Sequence, residues 1–153
     1  MAKFAIFLLI FFSYVYSNQQ IYLVEKYNEN IELEAKIISN IAKASIQDKI
    51  KLYIPNISIK EKEIYSLFFT LADNCNDANF IFTKNEIKIN DLCNNNINKL
   101  FITNDYKKLL KDEKYVGAFY WTKSRPNITF IKNRLENQNI HLSDAYEKFV
   151  EEF

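Results

Sequence analysis

The chain has 153 residues, and its 20 Lys and Arg stand against 19 Asp and Glu that are interleaved with them along its length. Nucleic-acid binding needs a concentrated basic face to neutralise phosphates, so this charge pattern excludes it as a partner class. A single glycine and a single histidine exclude glycine-rich phosphate loops and leave no ligand set for a structural zinc.

The first segment reads as a targeting signal. Lys3 gives a positive start, and residues 4–12 form an unbroken apolar run that is too short to span a bilayer. Val15 and Ser17 occupy the −3 and −1 positions of a cleavage site after Ser17. The expected organisation is a signal peptide over 1–17 and one α/β domain over 18–153, exported to the periplasm or outside the cell, with no membrane insertion after cleavage. An uncleaved anchor or a buried strand is the alternative for the apolar run. No cysteine stands directly after it, which argues against a lipoprotein anchor. Removal of Lys3 leaves 19 basic and 19 acidic residues, so the mature chain is formally neutral.

Export changes the reading of Cys75 and Cys93, because disulfides persist in oxidising compartments. Two cysteines allow one intramolecular bridge, and two buried free thiols are the alternative that spacing leaves open.

In chain order, apolar residues at Ile31, Ala35, Ile38, Ala42 and Ile46 predict a helix over 31–46. Residues 50–54 alternate with period two and stop at Pro55, which predicts a strand. Ser58 and Glu61 form a capping box for a helix whose face Ile64, Leu67, Phe68, Leu71, Ala72 and Cys75 is expected to be buried. A strand at 80–82 follows, then a polar run over 85–98 with a short strand near Ile87 and Ile89. Residues 100–102 predict a buried strand, and Asn104 or Asp105 caps a helix through Leu109 and Leu110. Residues 115–121 are strongly β-forming, 122–127 read as a turn around Pro126, and 128–131 as the returning strand of a hairpin. A helical turn at Arg134 and Leu135 and an extended 140–142 come next. Ser143 then caps a last helix burying Ala145, Tyr146, Phe149 and Val150. The expected fold is a single-domain α/β sandwich, with a central mixed sheet flanked by helices and a C-terminal hairpin and helix; the early strands are expected to be parallel.

No element carries a catalytic constellation. His141 lies between Ile140 and Leu142, where it reads as a strand-edge residue, and paired carboxylates such as Glu151 and Glu152 read as solvated surface. The expectation is a protein without catalytic residues, metal or cofactor. The aromatic run Phe119-Tyr120-Trp121 followed by Lys123 and Arg125 is the most suggestive local feature. Trp and Arg are enriched where few contacts carry most binding energy, so Trp121, Lys123 and Arg125 are the candidate partner-binding residues.

The stretch 117–121, the Phe130 and Asn133 of a Phe-x-x-Asn pattern, and Ile140, Leu142 and Ser143 before the closing helix resemble the end of YfiR-type periplasmic proteins. The resemblance covers the C-terminal third, with a shorter connection before Ser143 and without the usual glycines. It implies a small periplasmic α/β protein, often a homodimer, that restrains an inner-membrane signalling partner such as a diguanylate cyclase. It transfers no binding residue. Two other readings compete with it: a small-molecule-binding module akin to a truncated solute-binding protein, with a concave site near Arg125, and a secreted hydrolase.

Overall fold

A computed structural model describes residues 25–84, 93 and 99–152. The expected signal peptide and the strand near Ile87 and Ile89 lie outside the described residues. The chain divides into two units, Met1–Leu33 and Glu34–Phe153. Of the first, residues 25–33 are described and are helical.

The described residues from Glu34 onward belong to the second unit, whose boundary falls inside the first helix. Helix α1, described over 25–45, contributes Ala35, Ile38, Ile41 and Ala42 to the buried set, as the helical spacing requires. Then come β1 (Lys51–Tyr53), α2 (Ile59–Ser66), β2 (Thr70–Leu71), β3 (Phe80–Thr83), β4 (Leu100–Thr103), α3 (Tyr106–Lys111), β5 (Gly117–Thr122), β6 (Arg125–Ile131), α4 (Lys132–Asn137), α5 (Asp144–Glu147) and β7 (Val150–Glu151). The strands form one mixed sheet in the order β2-β1-β3-β4-β5-β6-β7. The first five are mutually parallel, β6 runs antiparallel to β5, and β7 is parallel to β6. The expected α/β class, mixed sheet and flanking helices are all present.

The pleat divides the core. On one face Ile81, Phe101, Ala118 and Ile131 pack with Leu109 of α3, Tyr115, Cys75 and Cys93. On the other, Phe80 meets Phe69, whose ring stacks on Tyr65 of α2. Both faces of β3 and β4 are buried, as befits central parallel strands. The one glycine of the chain has a steric cause. A Cβ on Gly117 would lie 2.6 and 2.9 Å from ring carbons of Phe130, its cross-strand partner.

Three expectations are corrected. The helix capped by Ser58 stops at Ser66 and does not reach Cys75. Leu67 and Phe68 close it with tight turns, Leu67 is 75% exposed, and Tyr65 and Phe69 take the buried places instead. The chain then extends so that Thr70 and Leu71 pair with β1, and the Asn74 side chain holds the following turn by accepting from the Asn76 and Asp77 amides. The closing helix is a single turn, and Ser143 makes no side-chain cap bond. Ala145 is exposed, and Val150 belongs to β7 rather than to a helix. Finally, Arg125 and Pro126 lie in β6 and not in a turn: the turn is only Lys123 and Ser124.

Candidate functional site

Parallel strands end together, so β1, β3, β4 and β5 present their carboxyl ends along one edge. In the order β2-β1-β3-β4-β5 the connections change direction between β1 and β3, the place where open α/β sheets form a crevice. Lys84 emerges there directly after β3. Its Nζ lies 2.5 Å from Glu34 Oε1 of α1 and 2.8 Å from Glu61 Oε1 in the first turn of α2. Tyr65 donates its hydroxyl to Glu34 Oε1 at 2.6 Å, and the Ser58 hydroxyl donates to Glu61 Oε2 at 2.7 Å. Lys84 also sits over the Tyr65 ring at 5.1 Å.

The electrostatics follow from this packing. Burial disfavours the Glu61 carboxylate, but hydrogen bonds from Lys84 and Ser58 and the Lys84 charge outweigh it and hold the group below its ordinary range. Burial likewise disfavours the Lys84 ammonium, but the charges and hydrogen bonds of Glu34 and Glu61 together outweigh it, so the amine stays protonated beyond its usual range. Burial, reinforced by Glu34, pushes the Tyr65 hydroxyl far up, so it acts as a fixed donor. Glu61 occupies the position at the α2 N-terminus that an anion would take, and Lys84 is already neutralised. The crevice is therefore filled by the protein's own charges and ties α1, α2 and β3 together. None of Glu34, Tyr65 and Lys84 stands out in the sequence as functional. The available signal was Glu34, a carboxylate on an otherwise apolar helical face between Ile31 and Ile38.

The second feature at this end is the β5–β6 hairpin. β4 pairs with β5 only at Gly117 and Ala118, and β7 with β6 only at Phe130 and Ile131. Past these pairs the hairpin continues to Thr122 and Arg125 with no third strand beside it among the described residues. At about 3.3 Å per residue it reaches roughly 13 Å beyond Ala118. Lys123 and Ser124 make the two-residue turn with φ of 49° and 62°, the left-handed pair that suits the twist of a hairpin. Pro126 faces Trp121 across the strands. That pair is the second from the turn, where the backbone groups point away from the partner strand, so the missing N–H interrupts no ladder bond.

Of the sequence-derived candidates, Trp121, Lys123 and Arg125 all lie on this arm. Trp121 is half-buried and meets Phe119 edge to face at 5.7 Å, while Lys123 and Arg125 are exposed. The register places Trp121 and Arg125 on opposite faces: Trp121 stands beside Pro126, and Arg125 beside Thr122. Cys75 and Cys93 are at disulfide-bonding separation with Cα atoms 5.3 Å apart, on the α3 side of the core, although Cys75 is in a loop and not at a helix end. His141 is exposed and no described carboxylate or thiol bonds to it. Among the described residues no group of three acidic, His or Cys side chains could hold a metal ion, and no helix is long and apolar enough to cross a membrane. Compared with known protein families, with curated proteins and with solved structures, the chain gives no match.

Proposed function

We propose that this is an exported regulatory protein that works by binding. On this reading it restrains, or senses for, an inner-membrane signalling protein of the diguanylate-cyclase type, as the resemblance in its C-terminal third suggests. The observation that carries the binding role is the β5–β6 arm. A paired hairpin that outruns its neighbours and ends in exposed Lys123 and Arg125 beyond an aromatic base presents side chains to another molecule. Because Trp121 and Arg125 face opposite ways, the partner takes the tip into a cleft and touches both faces.

The test is a photo-crosslinking residue at position 123 in the full chain, expressed in cells. A crosslink to an inner-membrane signalling protein is expected, and Arg125→Ala should weaken it at least fivefold. Stability should change by no more than about half a kcal/mol, because the residue is exposed. An undiminished crosslink in a folded Arg125→Ala protein would remove the arm from the contact. N-terminal sequencing that finds an uncleaved cytosolic chain, rather than a start near Asn18, would remove the exported role.

A further inference from the structure

Where β5 begins and β6 finishes, at the end of these strands away from the arm tip, a pocket of about 320 Å³ opens between the end of α3 and α4. Its size lies at the lower end of the range of small-molecule sites, roughly 300–1000 Å³. Leu110 and Ile131 supply apolar wall, and the exposed amides of Asn137 and Gln138 line the rim. The same lining carries one charge of each sign, Arg134 and Glu113.

Arg134 is held from one side. Its Nη1 donates to the carbonyls of Leu109, Asp112 and Tyr115 at 2.6, 2.9 and 2.8 Å, which closes the carboxyl end of α3. These acceptors are neutral, and no described residue bonds to Nε or Nη2. The edge that remains, two parallel N–H donors, is the one that matches a carboxylate, and it belongs to a guanidinium already fixed in place. Glu113 is exposed and takes part in none of the ion pairs among the described residues, so it does not neutralise Arg134 although both line one small volume. The two signs select the ligand. A simple carboxylate would suit Arg134 and be opposed by Glu113, and a simple amine would meet the reverse, whereas a small molecule that carries both charges satisfies both side chains and leaves the apolar walls for its hydrocarbon.

We infer that this pocket binds a free α-amino acid with an apolar side chain, its carboxylate on Arg134 and its ammonium on Glu113. The inference goes beyond the arm reading and does not depend on it, since the pocket lies at the other end of β5 and β6. The probes are L-leucine, isocaproate, which is leucine without its amine, and isoamylamine, which is leucine without its carboxylate. Each is titrated at constant ionic strength into the intact oxidised protein and followed by amide NMR. L-leucine should shift the resonances of 110–113 and 134–138 saturably. Isoamylamine, which forfeits the paired bonds to the guanidinium, should bind about tenfold more weakly. Isocaproate, which meets Glu113 as a like charge, should bind about fivefold more weakly. Because Arg134 also closes α3, the informative variant is Glu113→Gln, on an exposed side chain without an ion pair. It should weaken L-leucine and bring isocaproate to within about twofold of it, a reordering that a merely loosened fold would not produce. Arg134→Lys keeps a cation against the three carbonyls but loses the paired donors, and should weaken L-leucine about tenfold. Arg125→Ala on the arm should leave all three titrations unchanged. No saturable shift with L-leucine, equal binding of either singly charged analogue, or an unaltered order of affinities in folded Glu113→Gln would each overturn the site.

Discussion

Lys84 is nearly enclosed: its side chain is 15% exposed and those of Glu34 and Glu61 are 8% and 15%. Such an arrangement gives little net stability over a well-packed apolar substitute, but removing one member strands the others. Lys84→Met fills similar volume while leaving two buried carboxylates unpaired, so urea unfolding at pH 7 should show a loss of about 3–5 kcal/mol. The pH dependence has a definite sign. Glu61 has a lowered native pKa, so its contribution is present above the unfolded value and is lost as pH falls through the lower native one. Lys84 has a raised native pKa, so its contribution is complete below the ordinary lysine value and lost only as pH rises through the higher native one. In Lys84→Met, where burial favours the protonated carboxyl and Lys84 no longer opposes it, the acid decline of stability should therefore shrink or reverse, so that the gap to the parent narrows as pH falls. An unchanged acid limb would show that the ion pairs are spectators. Little of this was legible in the sequence. Glu61 reads correctly as a capping-box residue, but Lys84 is brought to it by tertiary structure, which no local pattern encodes.

The hairpin shows where local patterns succeed and fail at the scale of elements. Its two strands were evident from their β-branched and aromatic content, yet the turn was read as the six residues 122–127. The signal that would have shortened it, Asn or Gly at the two left-handed positions, is missing, because Lys123 and Ser124 hold them. Pro126 reinforced the error, since a proline reads as a ladder break unless the register puts it at a non-bonded pair. The α2 boundary failed for a related reason: apolar spacing continues past Ser66, but the strand pairing of Thr70 and Leu71 wins over helical periodicity. Left-handed backbone at Lys and Ser carries a cost that Asn and Gly avoid. Replacing Lys123-Ser124 by Asn-Gly should stabilise the protein by roughly 0.5–1 kcal/mol in chemical denaturation, with the hairpin register intact by NMR. A destabilised or register-shifted protein would show that the two side chains are held by contacts worth more than the strain.

At the scale of the molecule, the class was readable from alternating helices and strands, but the strand order was not. Nothing in the periodicity of β2 or β7, two residues each, announced the edges of the sheet. The cysteine pair on its α3 side is better specified. Cys75 and Cys93 are separated by 18 residues, their Cα atoms are 5.3 Å apart and their side chains are buried in the cluster beneath α3. Closing a loop of that length removes unfolded-state entropy equivalent to about 3 kcal/mol. Lys99 independently holds the Cys75 loop through three carbonyls, so the native fold should survive loss of the bridge even as stability falls. Alanine is the informative replacement, because a serine hydroxyl at these buried positions would lack a partner. The Cys75→Ala, Cys93→Ala double variant should lose about 3 kcal/mol in equilibrium unfolding while retaining the native circular dichroism spectrum, and reductant should lower the parent's stability by a similar amount and leave the variant unaffected. If the chain is exported, protein recovered from the envelope in the presence of an alkylating agent should carry no label at either cysteine until it is reduced. Two labelled thiols in the native protein, or a parent whose stability ignores reductant, would show that the pair is not joined in the cell and would remove the main structural support for an oxidising compartment.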